Sequence, residues 1–245
     1  MARALSVFTN LLSDMFLLSK NDQDDLLSLD VTQREMPAGS YIVREGDVAR
    51  TCSILISGIA LRQKVSAFGH RQIVSLIIPG DALDLPNVFL GTTDHDVRTL
   101  TKANIATVSA VQFNELVQNS PALAGAILLS VLTEGSISRE WILNLGRRDG
   151  QTRIAHFICE YAARMNDRGL SSGDVIDIPM TQEQLGDVTG LTAVHVNRML
   201  KLLEAESLIV KMGRQLRIPS IVALRDRADF NARYLHLPSR ETSEN

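Results

Sequence analysis

The residues best suited to bind a ligand lie between Thr181 and Arg217, and most of them are cations or small polar side chains. From Thr192 to Arg217 the chain carries five cations and two anions, although the net charge of the whole 245-residue chain is −3. Lysine and arginine side chains neutralise the phosphates of a nucleic acid backbone, and threonine hydroxyl groups bond to phosphate oxygens. The composition of this stretch therefore suits the phosphate backbone of a nucleic acid.

Patterns typical of catalysis are missing from the sequence. It contains no Ser/His/Asp arrangement, no metal-ligand spacing and no glycine-rich phosphate loop, and its five histidines are scattered. We therefore expect that the chain is not an enzyme and that it has no metal site.

Two short helices are predicted to position the first of these residues. Thr181 is a suitable N-cap, and Gln184 follows three residues later, as a capping box requires. Gly190 marks a turn that needs unusual backbone angles. Thr192 then caps a second, longer helix.

The second helix is predicted to be amphipathic, and a β-hairpin with Gly213 at its turn follows it. The apolar residues of this helix are spaced four and three residues apart, on one face: Val196, Leu200 and Leu203. The opposite face carries polar side chains: His195, Arg198 and Lys201. Such a helix fits the major groove of DNA when its inner face is held by a partner helix. A small winged domain that only packs against a neighbour would show the same spacing.

The run LTAVHVNRMLKLLEAESLI, at 191–209, resembles the recognition helix and the approach to the wing of the bacterial Crp/Fnr family of transcription regulators. The resemblance implies an α+β fold with an N-terminal β-roll sensor domain, a long dimerisation helix and a C-terminal winged helix-turn-helix domain. It also implies a homodimer that binds a palindromic promoter site on double-stranded DNA, with RNA polymerase as a further partner.

The resemblance assigns ten residues to the DNA interface. They are Thr181, Thr192, Ala193, Val194, His195, Asn197, Arg198, Lys201, Lys211 and Arg214. Arg198 matches the family's base-reading arginine, whose fork suits O6 and N7 of guanine. Val194 stands where many members carry a glutamate, so the usual half-site is in doubt; with Ala193 it offers only apolar contact, which favours a thymine methyl group. His195 and Asn197 are either polar readers or solvated side chains.

The rest of the chain follows the domain order that the resemblance implies. The predicted boundaries are 1–118 for the sensor domain, 119–146 for the dimerisation helix and hinge, 147–234 for the DNA-binding domain and 235–245 for a flexible tail. Within the third segment a last helix is predicted over 220–234. The long helix is apolar on more than one side, which favours one face on its own domain and one on a second copy. Packing only within its own chain is the alternative.

The two cysteines, Cys52 and Cys159, do not make a disulfide framework, so a cytoplasmic location is expected. Cys159 falls off the apolar stripe of its predicted helix and is expected to be partly exposed. No apolar run approaches the roughly 20 residues needed to span a bilayer, and no membrane association is expected.

The predicted effector pocket departs from the members of the family that bind cyclic AMP. Asp84-Leu85 falls where those members carry a Gly-Glu pair, and His95-Asp96 falls where they carry an arginine before serine or threonine. An aspartate would repel a cyclic phosphate, and Arg98 would replace the arginine only if the loop shifted. Cyclic AMP is therefore not expected to bind tightly, and no cofactor is predicted. An iron–sulfur cluster needs about four cysteines, and this chain has two. A lone histidine is weak support for a haem site. The expected effector is therefore an unidentified small molecule, or the protein has none.

Two functions are consistent with these residues. The first is a dimeric, sequence-specific DNA-binding regulator of transcription. The alternative is a small-molecule-binding regulatory subunit that uses its winged domain to contact a protein partner. The basic wing and Arg198 favour the first.

Overall fold

Two short helices, α1 (Ser6–Met15) and α2 (Lys20–Ser28), open the computed structural model, which describes residues 4–171 and 173–237. A complete capping box between Ser19 and Asp22 fixes the start of α2. Buried side chains of α1, among them Phe8, pack under the sensor domain, where the ring of Phe8 lies 6.4 Å from that of Phe113.

The sensor domain is a β-roll of two antiparallel sheets, as the sequence predicted. One sheet has the strand order β1-β7-β3 and the other has the order β2-β6-β4-β5. The strands are β1 Thr32–Met36, β2 Tyr41–Val43, β3 Thr51–Ser57, β4 Ala60–Val65, β5 Arg71–Ile77, β6 Asp96–Thr99 and β7 Ala103–Ser109. Alternating side chains of both sheets, such as Leu55, Ile77 and Ile105, form a shared core.

Helices surround the roll and continue into the second half of the chain. They are α3 Leu85–Leu90, α4 Ala110–Asn119, α5 Pro121–Arg147 and α6 Gly150–Asp167. Ser120 accepts a hydrogen bond from the N–H of Leu123, and Pro121 occupies the first turn, so α5 begins where the sequence predicts. Helix α3 and strand β6 were not predicted.

The C-terminal half is a winged helix-turn-helix domain built around α6. Its elements are β8 Val175–Asp177, α7 Gln182–Thr189, α8 Ala193–Ala205, β9 Val210–Met212, β10 Gln215–Arg217, α9 Ile221–Arg227 and a 3-10 helix Ala232–Leu235. The three strands form one antiparallel sheet in the order β8-β10-β9.

The prediction that Cys159 is partly exposed is wrong. Cys159 is buried, because α6 packs against α5, α7, α8, α9 and the 3-10 helix rather than against one layer. An apolar stripe identifies the buried face of a helix at a protein surface, but it does not describe a helix that is enclosed on several sides.

The single last helix predicted over 220–234 is also wrong, because α9 ends at Arg227 and Asp229 adopts a positive φ of 48° before the 3-10 helix begins. Leu235 is only 3% exposed, so the packed chain continues past the predicted start of the tail. The rest of that predicted tail, 238–245, lies outside the described residues.

The segment after α9 crosses the junction between α5 and α6. The hydroxyl group of Tyr234 donates to Oε2 of Glu160 at 2.7 Å, and Trp141 of α5 donates to the same carboxylate at 3.0 Å. Arg148, between the two helices, donates to Asp229 at 3.0 Å. The last described residues therefore connect the DNA-binding domain to the long helix.

Helix α5 is long and apolar enough to cross a membrane by length and composition alone, although the sequence was expected to contain no such run. The helix is placed between two folded domains, and Leu123, Ile127 and Trp141 on it are buried in their cores. Five other large apolar side chains of the helix are exposed in the single chain: Leu128, Leu129, Leu132, Ile142 and Leu143.

The winged domain packs on the β-roll of its own chain. Ile73 and Leu76 of β5 belong to the same apolar cluster as the core of α6, α7 and α8. Asp81 accepts from Arg164 at 2.9 Å and from Arg168 at 3.0 Å, both on or next to α6. These contacts fix the orientation of the helix-turn-helix relative to the β-roll.

Candidate nucleic-acid interface

The start of α7 and the turn after it follow from local sequence, as predicted. The hydroxyl group of Thr181 accepts from the backbone N–H of Gln184 at 3.1 Å, and the Gln184 side chain accepts from the N–H of Thr181 at 2.9 Å. Gly190 ends the helix with φ 65° and ψ 33°, the left-handed conformation that glycine adopts without strain.

A second glycine lets the two helices of the motif approach closely. A Cβ atom on Gly186 would lie 2.4 Å from the carbonyl oxygen of Leu191. The N–H of Leu191 in turn donates to the carbonyl oxygen of Gly186 at 3.1 Å. Only a residue without a side chain allows the loop to cross α7 at this distance.

Helix α8 is held from behind by aliphatic side chains and presents polar ones outward. Its N-cap Thr192 accepts from the N–H of His195 at 3.2 Å. The inner face is buried and comprises Val196, Met199, Leu200 and Leu203. On the outer face Arg198 and Lys201 are exposed, and Val194 is 82% exposed. An apolar side chain exposed to this degree between polar neighbours suits a contact with a base edge.

A shallow groove of about 450 Å³ runs along the outer face of α8 beside the start of α7. Five predicted DNA-binding residues line it together: Ala193, Val194, Asn197, Arg198 and Lys201. Gln182, which the sequence analysis did not select, completes the lining. Gln182 directly follows the predicted N-cap Thr181, and this position in the sequence could have identified it as a residue of the interface.

The remaining predicted residues lie around this groove. Thr181 and Thr192 are exposed at the N-termini of α7 and α8, where backbone N–H groups favour a phosphate. Lys211 and Arg214 are exposed on the β9–β10 hairpin, which is the wing. His195 is half-buried and turns toward the start of α6, so it does not line the groove.

The groove and the wing form a basic surface whose charges are available to a ligand. Among the described residues, no carboxylate lies within ion-pair distance of the four cations predicted to bind DNA: Arg198, Lys201, Lys211 and Arg214. Arg217, at the end of β10, is exposed as well. When such cations neutralise the phosphates of a nucleic acid, the counterions condensed on that nucleic acid are released, and this release favours binding.

The five residues of the predicted effector pocket do not converge on one cavity. Asp84 is buried and accepts from the N–H of Ser53 at 2.8 Å, while Leu85 begins α3. Burial lowers the pKa of His95, whose Nδ1 lies 2.7 Å from Asp94.

The other two predicted pocket residues are used within the roll. Asp96 accepts from the N–H of Glu45 at 3.0 Å. Arg98 donates to the carbonyl oxygen of Gly39 at 3.0 Å and lies over the ring of Tyr41. Arg98 is therefore engaged by the backbone and by an aromatic ring of the roll itself.

A cation that the sequence analysis missed occupies the space between the roll and α5. Arg62, on β4, is 7% exposed, donates to the carbonyl oxygens of Ala82 and Leu83, and pairs with Glu134 of α5. Burial lowers the pKa of Arg62 to about 10, against the opposing effect of Asp81 and then of Asp84. The cleft beside it measures about 90 Å³, whereas small-molecule sites span roughly 300–1,000 Å³.

Among the described residues, no three histidine, cysteine, aspartate or glutamate side chains are grouped so that they could hold a metal ion. The two cysteines are both buried, and burial raises the pKa of the Cys52 thiol well above its usual value and that of Cys159 to about 12. Neither is a reactive thiolate near neutral pH.

Comparison with known proteins agrees with this architecture. The cyclic nucleotide-binding domain family matches residues 33–120, and the Crp-like helix-turn-helix domain family matches residues 152–227. The chain is 28% identical over 199 residues to the transcriptional activator protein FnrL of Cereibacter sphaeroides, covering 79% of each chain. It is 24% identical over 201 residues to the electron transport regulator A of Shewanella oneidensis, covering 82% of this chain and 80% of the relative.

The solved structure of FixK2 from Bradyrhizobium japonicum has a similar fold, with a TM-score of 0.75 and 22% identity; the match covers 83% of this chain and 100% of that one. The two matched domains, their order and the long helix between them are those of one family. The chain belongs to the Crp/Fnr family, whose members are transcription regulators and not enzymes.

Proposed function

We propose that this protein regulates transcription by binding a palindromic promoter site on double-stranded DNA as a homodimer. The observation that carries the proposal is the groove on α8, where Arg198 and Lys201 are exposed and have no acidic partner among the described residues. A helix braced from behind and cationic in front is the geometry that enters a major groove. RNA polymerase as a further partner and action in the cytoplasm are proposals that rest on the family.

The second copy is proposed to pack along α5. Leu128, Leu129 and Leu132 are exposed near the middle of the helix, and Ile142 and Leu143 are exposed near its end. Leu132 follows Leu129 by three residues and Leu128 by four, and Ile142 lies fourteen residues, or two heptads, after Leu128. This is the spacing of a helix-to-helix seam. A parallel pair would place both α8 helices on the same side of the dimer, as a palindromic site requires.

Base recognition is proposed to combine one charged and one apolar reader. Arg198 is positioned to donate to O6 and N7 of a guanine, and the exposed Val194 suits the methyl group of a thymine. Lys211 and Arg214 of the wing would contact the phosphate backbone. Each half-site is therefore expected to contain at least one guanine.

Selection of bound sites from a random oligonucleotide pool would define the preferred sequence. Arg198→Ala should then lower the discrimination for the guanine by about 1–3 kcal/mol, measured as the ratio of affinities for the preferred duplex and one changed at that pair. Arg50→Ala removes the same charge from an exposed position of the sensor domain and should leave the ratio unchanged. Unchanged discrimination by Arg198→Ala would rule out the assigned role.

The sensor domain is proposed not to bind cyclic AMP tightly, and its effector, if it has one, is a different molecule. Arg62 is the buried cation nearest to α5, and its donors are committed to Glu134 and to two carbonyl oxygens. Calorimetric titration should show no binding of cyclic AMP at micromolar concentration. Saturable micromolar binding would contradict this part of the proposal.

A further inference from the structure

Arg198 has an unusual neighbour for a base-reading arginine. Its Nη2 atom donates to Nε2 of His195, one helical turn before it, at 3.4 Å. Val194, which stands directly before His195 in the sequence, is apolar and exposed. The partner of the Arg198 guanidinium on α8 is therefore an imidazole ring, and among the described residues no carboxylate lies within ion-pair distance of it.

The ring of His195 lies close to the start of α6, outside its own helix. A Cβ atom on Gly150, at the start of α6, would lie 2.9 Å from Nε2 of His195. The same added atom would lie 3.5 Å from Leu191 and from Met199. A side chain at position 150 would therefore compete with the ring for the space between α6 and α8.

The hydrogen bond requires a particular form of the ring. Because an arginine N–H can only donate, Nε2 of His195 accepts in this bond and the ring carries its proton on Nδ1. A free arginine side chain samples many rotamers, and fixing one donor reduces the entropy lost when its fork meets a guanine.

We propose that His195 is a positioning residue, which sets the Arg198 fork for guanine recognition, and that Gly150 makes this possible. The inference deepens the proposed function and rests on it. It predicts that His195 affects specificity through Arg198 and does not contact a base itself. The hinge end of α6 thereby contributes to sequence recognition.

A double-mutant cycle on DNA discrimination tests the inference. The ratio of affinities for the preferred duplex and for the duplex changed at the guanine pair is measured for the wild type, His195→Ala, Arg198→Ala and the double variant. His195→Ala should lower the ratio about threefold to tenfold, the range expected for one hydrogen bond. In the Arg198→Ala background the same change should have no effect on the ratio.

The outcomes separate the possible roles of His195. Additive losses of discrimination in the double variant would mean that His195 reads DNA independently of Arg198. An equal loss of affinity for both duplexes in His195→Ala would mean that His195 only supports the fold. Either result overturns the inference. If His195→Ala leaves the ratio unchanged while Arg198→Ala lowers it, the inference fails and the proposed function stands. If Arg198→Ala itself leaves the ratio unchanged, the inference and the base-reading role assigned to Arg198 both fail.

A second variant reaches the ring without altering α8. Gly150→Ala should displace His195 and lower the discrimination ratio in the same direction as His195→Ala. Gly146→Ala is the matched control at the other side of the hinge, because a Cβ atom there meets nothing within 4 Å. Wild-type discrimination by a folded Gly150→Ala variant would contradict the role assigned to Gly150.

Discussion

Among single residues, Asp84 shows most clearly how burial changes the chemistry of the sensor domain. Its carboxyl group is 4% exposed and accepts from the N–H of Ser53, and burial raises its pKa from 3.8 to about 6. The hydrogen bond to Ser53 and the Arg62 charge oppose that increase without cancelling it. The folded protein therefore keeps a proton on Asp84 up to about pH 6 that the unfolded chain loses near pH 3.8.

This difference predicts a pH dependence of stability. The stabilising contribution of the protonated carboxyl is fully present below pH 3.8 and is lost as the pH rises through about 6, with a total change of about 3 kcal/mol. Asp84→Asn cannot ionise, so the wild-type free energy of unfolding should fall relative to that of the variant between pH 4 and pH 7. Urea unfolding at several pH values measures the difference, and a difference that stays constant with pH would exclude this account.

The helix-turn-helix depends on how closely α7 and α8 approach at Gly186. Gly186→Ala places a methyl group against the carbonyl oxygen of Leu191, a backbone atom that cannot move away without shifting the turn. We expect a loss of about 1–3 kcal/mol in the free energy of unfolding, together with weaker DNA binding because α8 is displaced.

Denaturant unfolding and fluorescence anisotropy with labelled duplex DNA provide the two measurements. Gly146→Ala is again the appropriate comparison, because it introduces the same methyl group into a helix with open space around it. Equal stability of the two variants would show that the close approach at Gly186 has no energetic importance.

The elements that the sequence predicted well are those specified by neighbouring residues. The caps at Thr181 and Thr192 depend on side chains three residues apart, and the structure confirms both. Strand β6, Asp96–Thr99, was not predicted because it has no run of apolar residues and is stabilised by pairing with β2 and β4. The burial of Cys159 and the position of His195 likewise depend on contacts with distant segments, which single-sequence periodicity does not contain.

The whole molecule joins its sensor and DNA-binding domains through one continuous apolar cluster. Ile73 and Leu76 of the sensor sheet pack with the core of the winged domain. Arg71 donates to Asp187 of α7 at 2.7 Å, and Asp81 accepts from two arginines at the end of α6. A change in the sensor domain at these positions would therefore alter the placement of α7 and α8.

The assembly of two copies can be tested at α5. Leu132→Asp places a charge on the exposed apolar face, where a proposed second copy would bury it, and should convert a dimer to monomers in sedimentation experiments. Specific DNA binding should weaken in parallel, since a monomer contacts one half-site. Val222→Asp alters a comparably exposed apolar residue of α9 and should leave the assembly unchanged. If the Leu132→Asp variant dimerises as tightly as the wild type, the dimer interface does not include this face of α5.

The segment that crosses the junction of α5 and α6 has a practical consequence for work with the isolated DNA-binding domain. A fragment that stops after the wing would lack Tyr234 and Leu235, and Glu160 would lose a hydrogen-bond donor in an apolar setting. A fragment that begins after Trp141 would lose the second donor. Shortened versions intended for DNA titrations should therefore keep the end of the long helix and extend through Leu235.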